Sequence, residues 1–161
     1  MIDYKVGLGQ DSHRFLQGGD KPLILGGIVI NNHLGFVANS DGDIILHSLT
    51  NAISSVTGKR ILGKIADSLC ANGQTDSLIY IKLALADLEG WKIRHAAISI
   101  EALTPKLEPH IEVITKSVAK ILKIDLANVN ITATSGEGLT KFGEGLGMQS
   151  LAVVTFIKEY D

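Results

Sequence analysis

An α+β fold, a single domain spanning residues 1–161 with helices layered on one face of a mixed sheet, is predicted by three observations. Strand-like and helix-like stretches follow one another as a β hairpin, α, α, β, α, β, β, which is not the strict alternation of a parallel α/β protein. No segment repeats and no linker interrupts the 161 residues, so one core is expected. Hydrophobic residues at 45% and charged residues at 20% are values of an ordinary soluble globular chain and supply the surface for that core.

The elements follow from local patterns. Residues 4–9 read as a first strand, and Leu23 to Ile30, closed by Asn31-Asn32, reads as two short strands with turn punctuation. Ser40 suits a helix N-cap, with Asp43 in capping-box spacing, and Ile44, His47, Ser48 and Asn51 then share one helical stripe. Residues 58–76, with Gly58, Gly63, Asn72 and Gly73, read as an irregular and mobile connection holding one helical turn. Asp76-Ser77 caps a helix to about Leu88, with Leu78, Ile81, Leu85 and Leu88 at helical spacing and Gly90 ending it. Ile93 to Glu101 alternates as a strand, residues 104–109 break the pattern, and Ile111 to Ile124 is helical. Residues 128–134 and 149–157 are the last strands.

Charge and cysteine usage narrow the function. A net charge of -2 and the lack of a basic cluster interleaved with aromatics argue against a nucleic-acid partner. Cys70 is the only cysteine, which excludes an intramolecular disulfide and a cysteine-based zinc site and fits a reducing cytosol. No 18-residue apolar run is present, and Met1 to Lys5 leads into a strand pattern instead of a signal sequence. The expected location is the cytoplasm, with no membrane partner.

Chemistry concentrates at Asp11 and His13. Separated by one residue on a strand, they present both side chains to one face, and His47 arriving from a helix completes a set of three. Two imidazoles and a carboxylate suit zinc, and three protein ligands leave an open fourth position, as a catalytic zinc requires. A second candidate is the stretch Thr134-Ser135-Gly136-Glu137-Gly138, whose hydroxyls, backbone N–H groups and carboxylate suit phosphate oxygens and a hard cation. It lacks the Gly-Lys-Ser/Thr ending of a Walker loop. Lys106, between Pro105 and Leu107, offers a cation in a rigid turn, whereas His33, His95 and His110 read as surface or structural residues.

The ordered motifs Asp11-x-His13-x-Phe15, Gly26-Gly27, Ser40-Asp41-Gly42-Asp43-x-x-x-His47, Pro105-Lys106-x-x-Pro109-His110 and Ala133-Thr134-x-x-Glu137 resemble the 2-C-methyl-D-erythritol 2,4-cyclodiphosphate synthase family over nearly the whole chain. The resemblance implies a homotrimer with active sites between subunits, acting as a zinc-dependent phosphorus–oxygen lyase in non-mevalonate isoprenoid biosynthesis. Its substrate is 4-diphosphocytidyl-2-C-methyl-D-erythritol 2-phosphate, and CMP is released. Carried over by residue, Asp11, His13 and His47 bind zinc, and Glu137 helps to hold magnesium or manganese on the diphosphate. The cytidine and phosphate pocket is formed by Ala102, Leu103, Thr104, Pro105, Lys106, Leu107 and Glu108, and Thr134, Ser135 and Gly136 contact the diphosphate. Asn39, Ser40 and Gly63 face the substrate, with Asn39 and Ser135 acting on the transition state.

The chain also departs from the family pattern. Asn39 stands where a histidine is usual, Asn51 where a carboxylate is usual, and Ile61-Leu62-Gly63 where Asp-Ile-Gly is usual. Lys141 and Phe142 occupy the glycine-rich end that usually carries an arginine. Activity with altered substrate contacts is expected. A trimer that binds cytidine or isoprenoid diphosphates without turnover, and a zinc phosphohydrolase, are the alternatives.

Overall fold

The computed structural model describes residues 1–160, and Asp161, the last residue of the expected domain, lies outside the described residues. The strands are β1 (Ile2–Arg14), β2 (Pro22–Leu25), β3 (Ile28–Leu34), β4 (Lys92–Glu101), β5 (Val129–Thr134) and β6 (Gly147–Glu159). The helices are α1 (Ile44–Thr57), α2 (Lys64–Ala71), α3 (Ser77–Ala86) and α4 (Glu108–Leu122). Four strands form one sheet in the order β1-β6-β4-β5, and β2 and β3 form a separate antiparallel ribbon. The sheet is mixed, because β4 and β5 are parallel while β6 runs antiparallel to both β1 and β4.

Alternation along the strands decides which face the helices cover. On β6, Met148, Ser150, Ala152, Val154 and Phe156 are buried, and on β4 the same holds for Ala96, Ile98 and Ile100. Against them pack Ile45, Leu49 and Ile53 of α1 and Ile114 and Val118 of α4. Each fully buried aliphatic side chain of this kind contributes about 1.5–3 kcal/mol. On β1 the buried positions are Gly7 and Gly9, because α1 lies almost on the strand backbone: a Cβ at Gly9 would sit 1.8 Å from the Ser48 carbonyl oxygen. The other side of β1 is apolar and uncovered, with Tyr4, Val6 and Leu8 each more than 60% exposed beside Leu151 and Val153 of β6.

Several local expectations change. Asp43, not Ser40, caps α1: its carboxylate accepts from the N–H groups of Ile45 and Leu46, while Ser40 Oγ accepts from Gly42 N–H in the turn before the helix. Residues 58–76 hold the eight-residue helix α2, which buries Ala66 and packs Leu69 and Cys70 against the core. The first strand runs on past residue 9 to residue 14, because its ladder with β6 continues through Asp11, Ser12 and His13. The helix expected to reach Leu88 ends at Ala86, and the one expected from Ile111 begins at Glu108 with Pro109 in its first turn, where its missing N–H costs nothing.

Candidate active site

β1 and α1 build the candidate metal-ligating set. Asp11 and His13 share with Gly7 and Gly9 the face of β1 that looks at α1, and the two glycines let α1 approach closely enough for His47 to reach them. Asp11 Oδ2 lies 2.9 Å from His47 Nδ1 and 3.1 Å from His13 Nε2. The three donor atoms all lie within 4.8 Å of one another, so Asp11, His13 and His47 form a candidate metal site.

The donor set fits a tetrahedral divalent metal. Bonds of about 2.0–2.1 Å place neighbouring ligand atoms roughly 3.3 Å apart, close to the observed separations. His13 Nε2 is also buried without a hydrogen bond: although Asp11 Oδ2 is near, the two are not aligned as donor and acceptor. A buried ring nitrogen aimed at a carboxylate oxygen without bonding it is what converging metal ligands produce.

Burial raises the Asp11 carboxyl, but the His13 and His47 imidazoles beside it outweigh burial and hold it at about 2. Because the folded value lies below the unfolded one, this contribution is present above about pH 4 and is lost as pH falls toward 2. In metal-free protein the shift corresponds to about 2 kcal/mol. Acid titration of parent and Asp11→Asn by circular dichroism should show this difference only in the parent. Coincident curves would contradict it.

The set opens into a cleft of about 470 Å³ bordered by Asn39, Ser40, Leu62, Gly63, Asp67 and Cys70. Asn39 is exposed there, and its loop is held by Lys21, whose Nζ donates to the carbonyls of Ala38 at 2.9 Å and Ser40 at 2.6 Å. Burial lowers the Lys21 ammonium below the usual lysine range, opposed by the charge of Asp41. Asp43 is fully buried and accepts from Gly26, Gly27, Ile45 and Leu46 N–H groups, pinning the β2–β3 turn to the start of α1. A larger cleft of about 680 Å³ between α3 and α4 contains none of the expected site residues.

The remaining expected residues gather elsewhere on the same end of the sheet. Ala102 N–H donates to Thr134 O and Leu103 N–H to Phe142 O, tying the loop after β4 to the loop after β5. Leu103, Thr104, Lys106 and Glu108 are exposed, as are Thr134, Ser135 and Glu137, while Ala102 and Leu107 are buried and Pro105 and Gly136 partly so. Gly136 has φ +73°, and a Cβ there would meet the Glu101 carboxylate at 2.3 Å. The strand registers align Ser12, Gln149, Glu101 and Thr134 in one row across the sheet. Three strand spacings, about 14 Å, therefore separate the Asp11–His13 strand from Thr134. Within one chain the two groups do not form a single pocket.

A model of the YgbB family matches residues 4–157. This chain belongs to the YgbB family. Within it, the chain is 52% identical over 158 residues to the 2-C-methyl-D-erythritol 2,4-cyclodiphosphate synthase of Chlamydia muridarum, covering 96% of this chain and 89% of the relative. The synthase of Chlamydia trachomatis serovar L2b is 52% identical over 160 residues, with 98% and 89% covered. Among solved structures, the bifunctional IspDF from Campylobacter jejuni superposes with a TM-score of 0.88 at 30% identity, over all of this chain and 44% of that one. A CDP-bound 2C-methyl-D-erythritol-2,4-cyclodiphosphate synthase superposes with a TM-score of 0.80 at 27% identity, covering 94% and 99%.

In this YgbB-family chain two of the departures have local explanations. Asn51 Nδ2 donates to the Gln10 carbonyl at 3.0 Å, a bond that a carboxylate cannot make. Ile61 is buried in the core, leaving Leu62 and Gly63 at the cleft. Lys21 and Ser77 are site neighbours outside the motifs, and Asp41 lies within one without having been given a role. Ser77 had no local signal, because its contact with His47 spans 30 residues.

Proposed function

We infer that the chain is a 2-C-methyl-D-erythritol 2,4-cyclodiphosphate synthase, converting 4-diphosphocytidyl-2-C-methyl-D-erythritol 2-phosphate to the cyclic diphosphate and CMP. The observation that carries this reading is the converging Asp11, His13 and His47 set at the mouth of a cleft, in a chain whose relatives bear that name. An oxygen of the 2-phosphate attacks the β-phosphorus, the bond from that phosphorus to the bridging oxygen breaks, and CMP leaves with the bridging oxygen. No side-chain nucleophile is needed, so the enzyme's task is alignment and charge neutralisation.

Asp11, His13 and His47 would hold zinc, which would supply Lewis acidity at the β-phosphate. Asn39, held at the cleft by Lys21, donates a hydrogen bond to an equatorial oxygen but carries no charge. Ser40 and Gly63 border the erythritol portion. Leu103, Thr104, Pro105, Lys106 and Glu108, with the backbone of Ala102 and Leu107, receive cytidine and its phosphate. Thr134, Ser135 and Gly136 contact the diphosphate, and the exposed Glu137 carboxylate suits magnesium or manganese, which takes one or two carboxylates plus substrate oxygens. Cys70 as the sole cysteine fits a cytoplasmic enzyme.

The separation of about 14 Å across three strand spacings between the Asp11–His13 strand and Thr134 supports an active site shared between chains, with zinc from one and the loops after β4 and β5 from its neighbour. The uncovered Tyr4, Val6 and Leu8 face supports the homotrimer that would bring them together. Val6→Asp should yield monomers by sedimentation that keep zinc but lose turnover by about a hundredfold or more, the cost of misplacing reacting groups. Monomers with parental turnover would contradict the shared site.

Phosphorus NMR of the protein with this substrate, zinc and magnesium tests the assignment. A cyclic diphosphate appearing with CMP is the expected result. Linear phosphate products, or unchanged substrate in zinc-loaded protein, would refute it.

A further inference from the structure

The second nitrogen of His47 is held as firmly as the first. Its Nε2 lies 2.8 Å from Ser77 Oγ, and Ser77, at the start of α3, is completely buried. Ser77 Oγ donates in turn to Asp41 Oδ1, and Ser77 N–H donates to Asp41 Oδ2 at 3.0 Å. Asp41 is itself fixed, its Oδ1 accepting from Asp43 N–H at 3.1 Å and its N–H donating to the Thr75 carbonyl at 2.8 Å.

The direction of these bonds follows from what each group is able to do. A carboxylate only accepts, so the single hydroxyl proton of Ser77 is committed to Asp41. Toward His47 the Ser77 oxygen then has only lone pairs, and Nε2 must carry the proton. Ser40 Oγ, the other hydroxyl near Nε2, is farther away at 3.4 Å. The Tyr80 hydroxyl, whose ring packs against His47, donates elsewhere, to the Gln74 carbonyl at 2.7 Å. With the proton on Nε2, Nδ1, 2.9 Å from Asp11 Oδ2, is left to give its lone pair to a cation held with Asp11 and His13, in place of a proton shared with Asp11.

We propose that Asp41 and Ser77 are positioning residues that lock His47 in its Nε2-protonated form and orientation, so that Nδ1 is the metal-ligating nitrogen. The inference rests on the metal reading of Asp11, His13 and His47, and extends it to two residues from the turn before α1 and the start of α3. Such partners of ligating histidines fix the ring and raise its basicity, and their loss costs 10- to 100-fold in metal affinity.

Zinc competition against a chromophoric chelator, with long-range proton–nitrogen NMR of histidine-labelled protein, tests this in parent, Ser77→Ala and Asp41→Asn. The parent should bind zinc through His47 Nδ1 and show a protected Nε2 proton. Ser77→Ala should bind zinc 10- to 100-fold more weakly and lose that protection, while Asp76 still caps α3 and the helical signal is unchanged. Asp41→Asn, which keeps the shape but weakens the acceptor, should move both readouts the same way and serves if Ser77→Ala fails to fold. Parental zinc affinity in a folded Ser77→Ala or Asp41→Asn protein, or ligation through Nε2, overturns the positioning role while leaving the metal site standing. A parent that binds no zinc overturns both.

Discussion

His47→Ala should lose bound zinc and lower turnover by about a thousandfold, or about 4 kcal/mol, while the protein stays folded. His47 is 6% exposed, and its two ring nitrogens meet Asp11 and Ser77, so alanine removes one of three ligands and takes one partner from each of Asp11 and Ser77, which keep His13 and Asp41 beside them. That structural cost is about 2 kcal/mol, within what a domain of ordinary stability tolerates. The apolar stripe of α1, with Ile45, Leu49 and Ile53 fully buried, is untouched. Zinc content by atomic spectroscopy and CMP release should therefore fall together while the melting transition persists. Full turnover by zinc-free His47→Ala protein would sink the proposed mechanism.

Gly9→Ala should produce the largest loss of stability from a single methyl group. The new Cβ would lie 1.8 Å from the Ser48 carbonyl oxygen and 2.4 Å from Ala52 N. Both are backbone atoms of α1 and cannot rotate away. To restore ordinary contact the helix must move by roughly 1.5 Å, at a cost of about 3 kcal/mol. For a chain of this size that lowers the melting temperature by about 6–12 °C. The same movement carries His47 away from Asp11, so zinc affinity should fall as well, and calorimetry with zinc titration reads both effects. A melting temperature within a degree of the parent would show that α1 does not lie on β1 as described.

How much of this was legible in the sequence differs from residue to residue. Asp11 and His13 were readable because strand alternation is a local rule, and His47 because the apolar stripe of α1 is. The fold class was readable for the same reason, and the mixed sheet and separate ribbon agree with it. The helix cap was misread at Ser40 because capping depends on the backbone direction at each candidate, and only the turn at Gly42 shows that Asp43 faces the helix. Helix α2 was read as only one turn because glycines on both sides of a short stretch of mixed polarity look like a loop until Ala66 and Leu69 find the core.

The sequence by itself determined the class of fold, the donor types of the metal set and the glycine-rich loop after β5, since each is written in neighbouring residues. Only the tertiary structure decided that Gly7 and Gly9 are the seats of α1, that Ser77 and Asp41 hold His47 from behind, and that the candidate metal set and the Thr134–Glu137 loop lie at opposite edges of one sheet. Those facts depend on which residues meet across 30 or more positions of chain. Such meetings are set by strand order and helix packing, which no short-range pattern encodes.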